Sequence, residues 1–360
     1  NFLLDVMPLV VSGAGLLTSL AGAIAVGAEK RRRRTARGTV VAQYEVPRDL
    51  PPLLAGPIVG AARPPVPAEI VHLAVNGGIR IEETAPEQKL FASKRPRVSL
   101  RLLDPQRVGH PLDSRAVGAL FPSGKAGATM TVPRQSETFA ANMRKLKSAG
   151  DIEALRSGYL ERKRSSLGRI LGWISLGILA VLAVLLVIAM ITRGSPLAVI
   201  SLVAGILGFV FATTAISKHR MHTPRGAEAR EFLLGVREFI KVAEADRLRT
   251  LQSYSGAERR QDGTVDVIHL YERLLPYAML FGLEKEWGRT LEATYAEHGD
   301  YVPLWYPAMA LHGVSGMSST LAQFTTSLSS SVSYTSSSSG GSSGGGFAGG
   351  GGGGGFSGGR

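Results

Sequence analysis

This chain has no cysteine, so its chemistry must come from histidine, acidic and basic side chains, and these stand in a few short groupings. That alone removes thiolate metal sites, disulfides and cysteine nucleophiles. His219 and His222 are three residues apart, which would put two imidazoles on one face of a helix. A bound metal needs further ligands, and none stands near them in sequence. His269 with Glu272, and His298 with Asp300, are close pairs without a third partner and read as surface residues. Asn76-Gly77-Gly78 could cradle an anion, but ahead of a strand-like segment it reads as a turn. There is no nucleophile elbow, P-loop or HExxH motif. These groupings predict a non-enzymatic protein with no metal and no cofactor.

Two clusters remain as binding candidates. Glu284, Lys285, Glu286 and Trp287 form the most distinctive group, and a functional reading makes them a docking site for a partner helix. The simpler reading lets the charges face water while Trp287 packs on Leu283 and Leu291. The second cluster is basic. Arg31, Arg32, Arg33 and Arg34, with Arg80, Lys94, Arg95 and Arg97, could contact anionic lipid or nucleic acid. The formal net charge of +13 would suggest nucleic acid in a soluble chain. Beside membrane spans the same charge serves topology and attracts anionic lipid, at about 1 kcal/mol per basic residue near the surface.

The elements that position these residues are dominated by hydrophobic runs. A spanning helix needs about 20 mostly apolar residues. Residues 170–192 and 196–216 carry no charge, and Arg193, Gly194 and Ser195 join them as a tight transmembrane hairpin. Trp173 stands near one end of its span, where an indole favours the interface. Residues 2–28 contain Asp5, Pro8 and several glycines, yet Lys30 and four arginines follow the apolar run. A signal peptide has its basic residues before the run, so this order reads as a span. Asp5 is the only acid in a membrane run. Such acids can mark transport paths, but this one lies near the end of its span, within reach of water. Basic clusters after the first span, before the second and after the third stay in the cytoplasm. They agree on one topology: Asn1 outside, residues 30–166 inside, the hairpin tip outside and residues 218–360 inside.

Between the spans, seven prolines over 47–67 bias the chain away from helix. Apolar spacing then predicts a short helix over 67–75, a glycine turn, and strands at 79–82 and 98–103. Helix, turn, strand, connection, strand is the tail of a winged-helix unit. A second unit of similar build is predicted from 113–121, a strand at 128–132 and a helix over 137–163. After the third span, apolar residues at three/four spacing predict amphipathic helices over 228–249, 267–283 and 284–298. Pro276 should kink or divide the second of these. From 315 the chain is Ser- and Thr-rich and then almost pure glycine, too poor in apolar surface to offset ordering entropy.

The expected architecture is therefore a mainly α membrane protein. It comprises a first transmembrane helix (1–28), a basic and Pro-rich connector (29–66) and a winged-helix-like α+β cytoplasmic region (67–166). A transmembrane hairpin (167–217), a small helical cytoplasmic domain (218–312) and a disordered Ser/Gly-rich tail (313–360) follow. The two cytoplasmic regions should pack together, because the hairpin brings 166 and 218 close.

Three stretches resemble a family of uncharacterised bacterial predicted membrane proteins, DUF2207. The first is PAEIVHLAVNGGIRIEE (67–83), similar to that family's helix-turn-strand segment. The second runs from Arg237 to Trp287 and includes Leu275-Pro276-Tyr277-Ala278 and Gly282-Leu283-Glu284-Lys285-Glu286-Trp287. The third is the Ser-rich then Gly-rich end after Trp305-Tyr306. The resemblance implies a bacterial plasma-membrane protein with an extracytoplasmic β-rich part ahead of the first span. It also implies that a chain beginning at Asn1 is a C-terminal portion. Two departures stand out: Arg360 at the end instead of Ser-Trp, and a basic stretch over 84–135 that aligns poorly. The family implies no activity. The leading expectation is an envelope scaffold or signal-relay protein with unidentified protein partners. The alternative is a membrane-tethered, winged-helix nucleic-acid binder, although helix 68–75 offers no Arg, Lys or Gln to read base edges.

Overall fold

The computed structural model describes residues 2–43, 45–47, 49–84, 97–107, 109–133, 135–193, 196–252, 264–297, 301–307 and 317–333. Three long apolar helices, α1 (Phe2–Arg32), α6 (Ser166–Arg193) and α7 (Pro196–Ile216), each pack on the other two. All three are long and apolar enough to cross a membrane. In lipid no hydrophobic effect holds helices together, so close approach of small residues does. Gly22 of α1 faces Gly168 of α6, and a Cβ at either would press on the other's carbonyl. Gly172 approaches the Ala212 carbonyl of α7, and Ser175 donates a 2.8 Å hydrogen bond to the Gly15 carbonyl. The outward faces are apolar: Leu17, Ile24, Val184, Val199 and Phe209 are all exposed. Side chains this apolar are suited to lipid, and Trp173 joins them near one end.

The remaining elements form one extramembrane domain around α3 (Pro65–Val75), nine of whose eleven residues are buried. α2 (Pro52–Val59), α4 (Pro111–Leu120), α5 (Glu137–Arg156) and α9 (Thr264–Phe281) pack around it. A three-stranded antiparallel sheet of β1 (Ile79–Thr84), β2 (Arg97–Leu102) and β3 (Thr129–Thr131) lies alongside in that order. α8 (Pro224–Gln252), α10 (Glu284–Glu297) and α11 (Met317–Ser333) complete it. A single hydrophobic core runs through Leu53, Ile70, Leu100, Met143, Leu233 and Trp287. The regions before and after the hairpin thus pack together, as expected.

Several expectations are corrected. The Pro-rich stretch is more than a connector, since α2 lies inside it with Leu53, Leu54, Ala55 and Ile58 fully buried. Pro52 occupies the first helical turn, where its missing N–H costs nothing. Pro57 leaves the Leu53 carbonyl without its helical donor, and that carbonyl lies against Gly150 of α5, where no side chain intervenes. The second winged-helix unit does not exist as such, because β3 joins β2 in the one sheet. The helix expected over 137–163 stops at Arg156, and Leu160–Lys163 is a strand, β4. α9 passes through Pro276 undivided. Composition predicts disorder from residue 313, yet 317–333 is helical, with Leu321, Phe324 and Leu328 buried. Residues 334–360 lie outside the described ones.

The bundle and the domain are tied at one end. β4 pairs antiparallel with β5 (His219–His222), so a two-stranded ribbon joins the domain to both α6 and α7. After α1 the chain lies along α8. The Glu231 carboxylate accepts backbone N–H bonds from Ala36, Arg37 and Gly38 at 2.7 to 3.0 Å. Gln43 N–H donates to the Gly235 carbonyl at 3.1 Å. Arg33 makes a 2.6 Å ion pair with Glu161 of the ribbon.

Candidate functional site

An open cleft of about 1250 Å³ lies between the 45–50 segment, α3, the loop before α4 and α9. His72 and Asp113 line it, and Glu69, one helical turn before His72, is fully buried behind them. Glu69 Oε2 accepts the Leu53 N–H at 3.1 Å, which caps α2 from α3. Asp113 Oδ2 accepts the His110 N–H at 3.1 Å, while His110 Nδ1 accepts the Leu112 N–H, a reciprocal box that starts α4. Burial first, then the charge and hydrogen bond of Asp113, hold the Glu69 carboxyl well above the ordinary range. Glu69 Oε1 and Asp113 Oδ1 both lack a donor from any other group.

His72 Nε2 lies 3.9 Å from Asp113 Oδ2. Burial lowers the His72 pKa, Asp113 pulls it back up and His110 lowers it further. An imidazole and two carboxyl groups at a cleft could exchange protons. Here each acid also joins helices: Glu69 ties α3 to α2, and Asp113 begins α4. Sequence reading passed over both. The available signal was a lone acid, Glu69, in an otherwise apolar helix, which is expensive to bury without a partner.

The other feature is a basic collar at the junction of bundle and domain. Arg31 and Arg32 end α1 and are exposed, as is Arg34 beyond them. The ribbon sets Arg162 opposite Arg220 and Lys163 opposite His219. Like charges directly opposite destabilise a strand pair, and Arg220 offsets this by pairing with Asp151 at 3.1 Å.

His219 and His222 lie on β5, not on a helix. His219 Nε2 is 2.6 Å from the Thr214 carbonyl and His222 Nε2 is 2.7 Å from the Ile58 carbonyl. Glu272 is buried, against the expectation of a surface position. It accepts from Tyr295 Oη at 2.8 Å and Trp305 Nε1 at 3.1 Å, and His269 Nδ1 is 3.2 Å away. Trp287 is fully buried on Tyr271, to whose carbonyl its Nε1 donates at 2.9 Å. It is therefore unavailable as a docking ring. Glu284 is also buried, 3.7 Å from Arg63, while Lys285 is exposed and Glu286 half-buried. Arg80 is half-buried in β1, and Arg97 opens β2. Lys94, Arg95, His298 and Asp300 lie outside the described residues. Asn76 ends α3 and Gly77, at φ +77°, makes the turn into β1. Among the described residues no three His, Asp or Glu converge as metal ligands.

Residues 39–291 match the family described as predicted membrane protein (DUF2207), C-terminal domain. No curated protein and no solved structure matches the chain.

Proposed function

The chain belongs to the DUF2207 C-terminal-domain family of predicted membrane proteins, and on that premise we propose a non-enzymatic scaffold or relay in the bacterial cell envelope. Its three spans anchor one cytoplasmic domain that docks protein partners and carries the state of the membrane bundle to them. The observation that supports this is the wiring of bundle to domain. All three spans meet the same core, α1 through the Glu231 clasp and the Arg33–Glu161 pair, α6 and α7 through the β4–β5 ribbon. A flexible anchor needs no such joints. The collar supports a cytoplasmic placement, since short basic flanks are retained there.

The experiment is proximity labelling in intact cells, with the labelling enzyme fused beyond Ser333 so that α11 stays whole. A reproducible set of envelope proteins is expected, absent when the same enzyme is fused to the three spans alone. Identical sets from both fusions would sink the proposal. Enrichment of nucleoid proteins would favour the tethered nucleic-acid binder. Against that alternative, α3 stands where a recognition helix should be, yet it is the buried centre of the domain. A helix packed on all sides cannot enter a major groove.

A further inference from the structure

Beneath the collar lies a cavity of about 470 Å³, between the end of α1, α2, the ribbon and α8. Lys30, Arg34, Arg220, Arg230 and Arg237 line it, against one lining carboxylate, Asp151. Two of these cations are accounted for: Arg220 pairs with Asp151 at 3.1 Å and Arg237 with Glu238 at 3.0 Å. Lys30, Arg34 and Arg230 have no carboxylate within ion-pair distance among the described residues. Burial, then the Arg34 and Arg237 guanidiniums, lowers the Arg230 pKa against a smaller upward pull from Glu231, and Arg230 Nη1 donates to the Arg34 carbonyl at 3.3 Å.

A second feature of the cavity is not electrostatic. His222 lines it, is only 8% exposed, and leaves Nδ1 buried without a partner. Its Nε2 faces the Ile58 carbonyl at 2.7 Å and so carries the ring hydrogen, which makes Nδ1 a bare acceptor in the neutral ring. Burial, then nearby Arg230, Arg34 and Lys30, holds the ring neutral against the pull of the Ile58 carbonyl. The site thus offers cations for an anion and one acceptor for a hydroxyl.

We propose that this cavity binds a hydroxyl-bearing phosphate ester, the headgroup of an anionic membrane phospholipid, with Lys30, Arg34 and Arg230 on the phosphate and His222 Nδ1 accepting from the hydroxyl. Lipid is the source because Lys30 lies in the last turn of α1 and Arg220 four residues beyond the end of α7, at the level of the bilayer surface. The inference rests on membrane insertion and is independent of the relay reading.

The test uses the full chain in a neutral detergent, titrated with short-chain phosphatidylglycerol while the melting temperature is followed. Phosphatidylethanol, phosphatidylcholine and inorganic phosphate are run alongside. A saturable rise with phosphatidylglycerol is expected, weaker with phosphatidylethanol, which keeps the charge and lacks the hydroxyl, and absent with phosphatidylcholine. The double variant R34Q/R230Q should bind about thirtyfold more weakly, about fivefold per basic residue. Its unliganded melting temperature should not fall, because crowded like charges are removed. R31Q/R32Q, outside the cavity, should bind like the parent chain. An equal rise with inorganic phosphate would overturn the lipid source, and equal losses in both double variants would overturn the site.

Discussion

Burial and the neighbouring Asp113 hold the Glu69 carboxyl well above its ordinary range, and this makes the domain's stability depend on pH in a stated direction. The unfolded chain releases the carboxyl proton near the ordinary value of 4.5, whereas the folded chain keeps it well above. Between those two values the folded state holds more protons, so stability falls as pH rises, by at most about 1.4 kcal/mol per pH unit. Glu69→Gln keeps the shape, cannot ionise, and offers an amide to Asp113. The expected result is a parent chain that loses stability relative to the variant as pH is raised from 5 to 8. Thermal melts of both proteins across that range read the difference, with other titrating groups common to the pair. A constant difference would show that Glu69 ionises normally. The pairing of Glu69 with Asp113 was not legible in the sequence. The partner, Asp113, lies 44 positions on from Glu69, and only packing of α4 on α3 brings them together.

Elements were legible where periodicity was strong. The three spans, α8, α9, α10 and the strands β1, β2 and β3 all lie close to where apolar spacing puts them. Composition misled where it masked periodicity. Ser and Thr dominate 317–333, yet Leu321, Phe324 and Leu328 still fall on one face, and the hydroxyls of Thr325, Thr326 and Ser331 satisfy themselves on carbonyls four residues back. α11 packs on α10, α3 and α5, and Gly288 allows close approach to Ser318. Burying three large apolar side chains contributes about 1.5–3 kcal/mol each, against which stands the entropy of ordering the helix. A chain ended after Ser333 should therefore melt like the full chain, while one ended at residue 313 should melt far lower or fail to accumulate. Equal melting of the two would mean that α11 contributes nothing to the fold.

At the scale of the whole molecule, charge asymmetry predicts which way the chain faces. Lys30, Arg31, Arg32, Arg33, Arg34, Arg162, Lys163, Arg164, Lys218, Arg220 and Arg225 stand at the domain end of the bundle, and Arg193 alone stands in the hairpin tip. Basic residues within short reach of a span resist translocation, and the three clusters agree, so none competes with another. The structure adds a reason for the agreement that periodicity could not supply. The clusters converge on one ribbon and one clasp, and reversing a single span would break the β4–β5 pairing or release Glu231. The absence of cysteine makes the orientation directly readable. Ser195→Cys, in the tip, should react with a membrane-impermeant maleimide in intact cells. Thr35→Cys, exposed on the domain side, should react only after lysis. Labelling of denatured protein confirms that both thiols are present. The reverse pattern would put the domain outside the cell, leaving the basic collar against the outer leaflet and the relay with no cytoplasmic partner to reach.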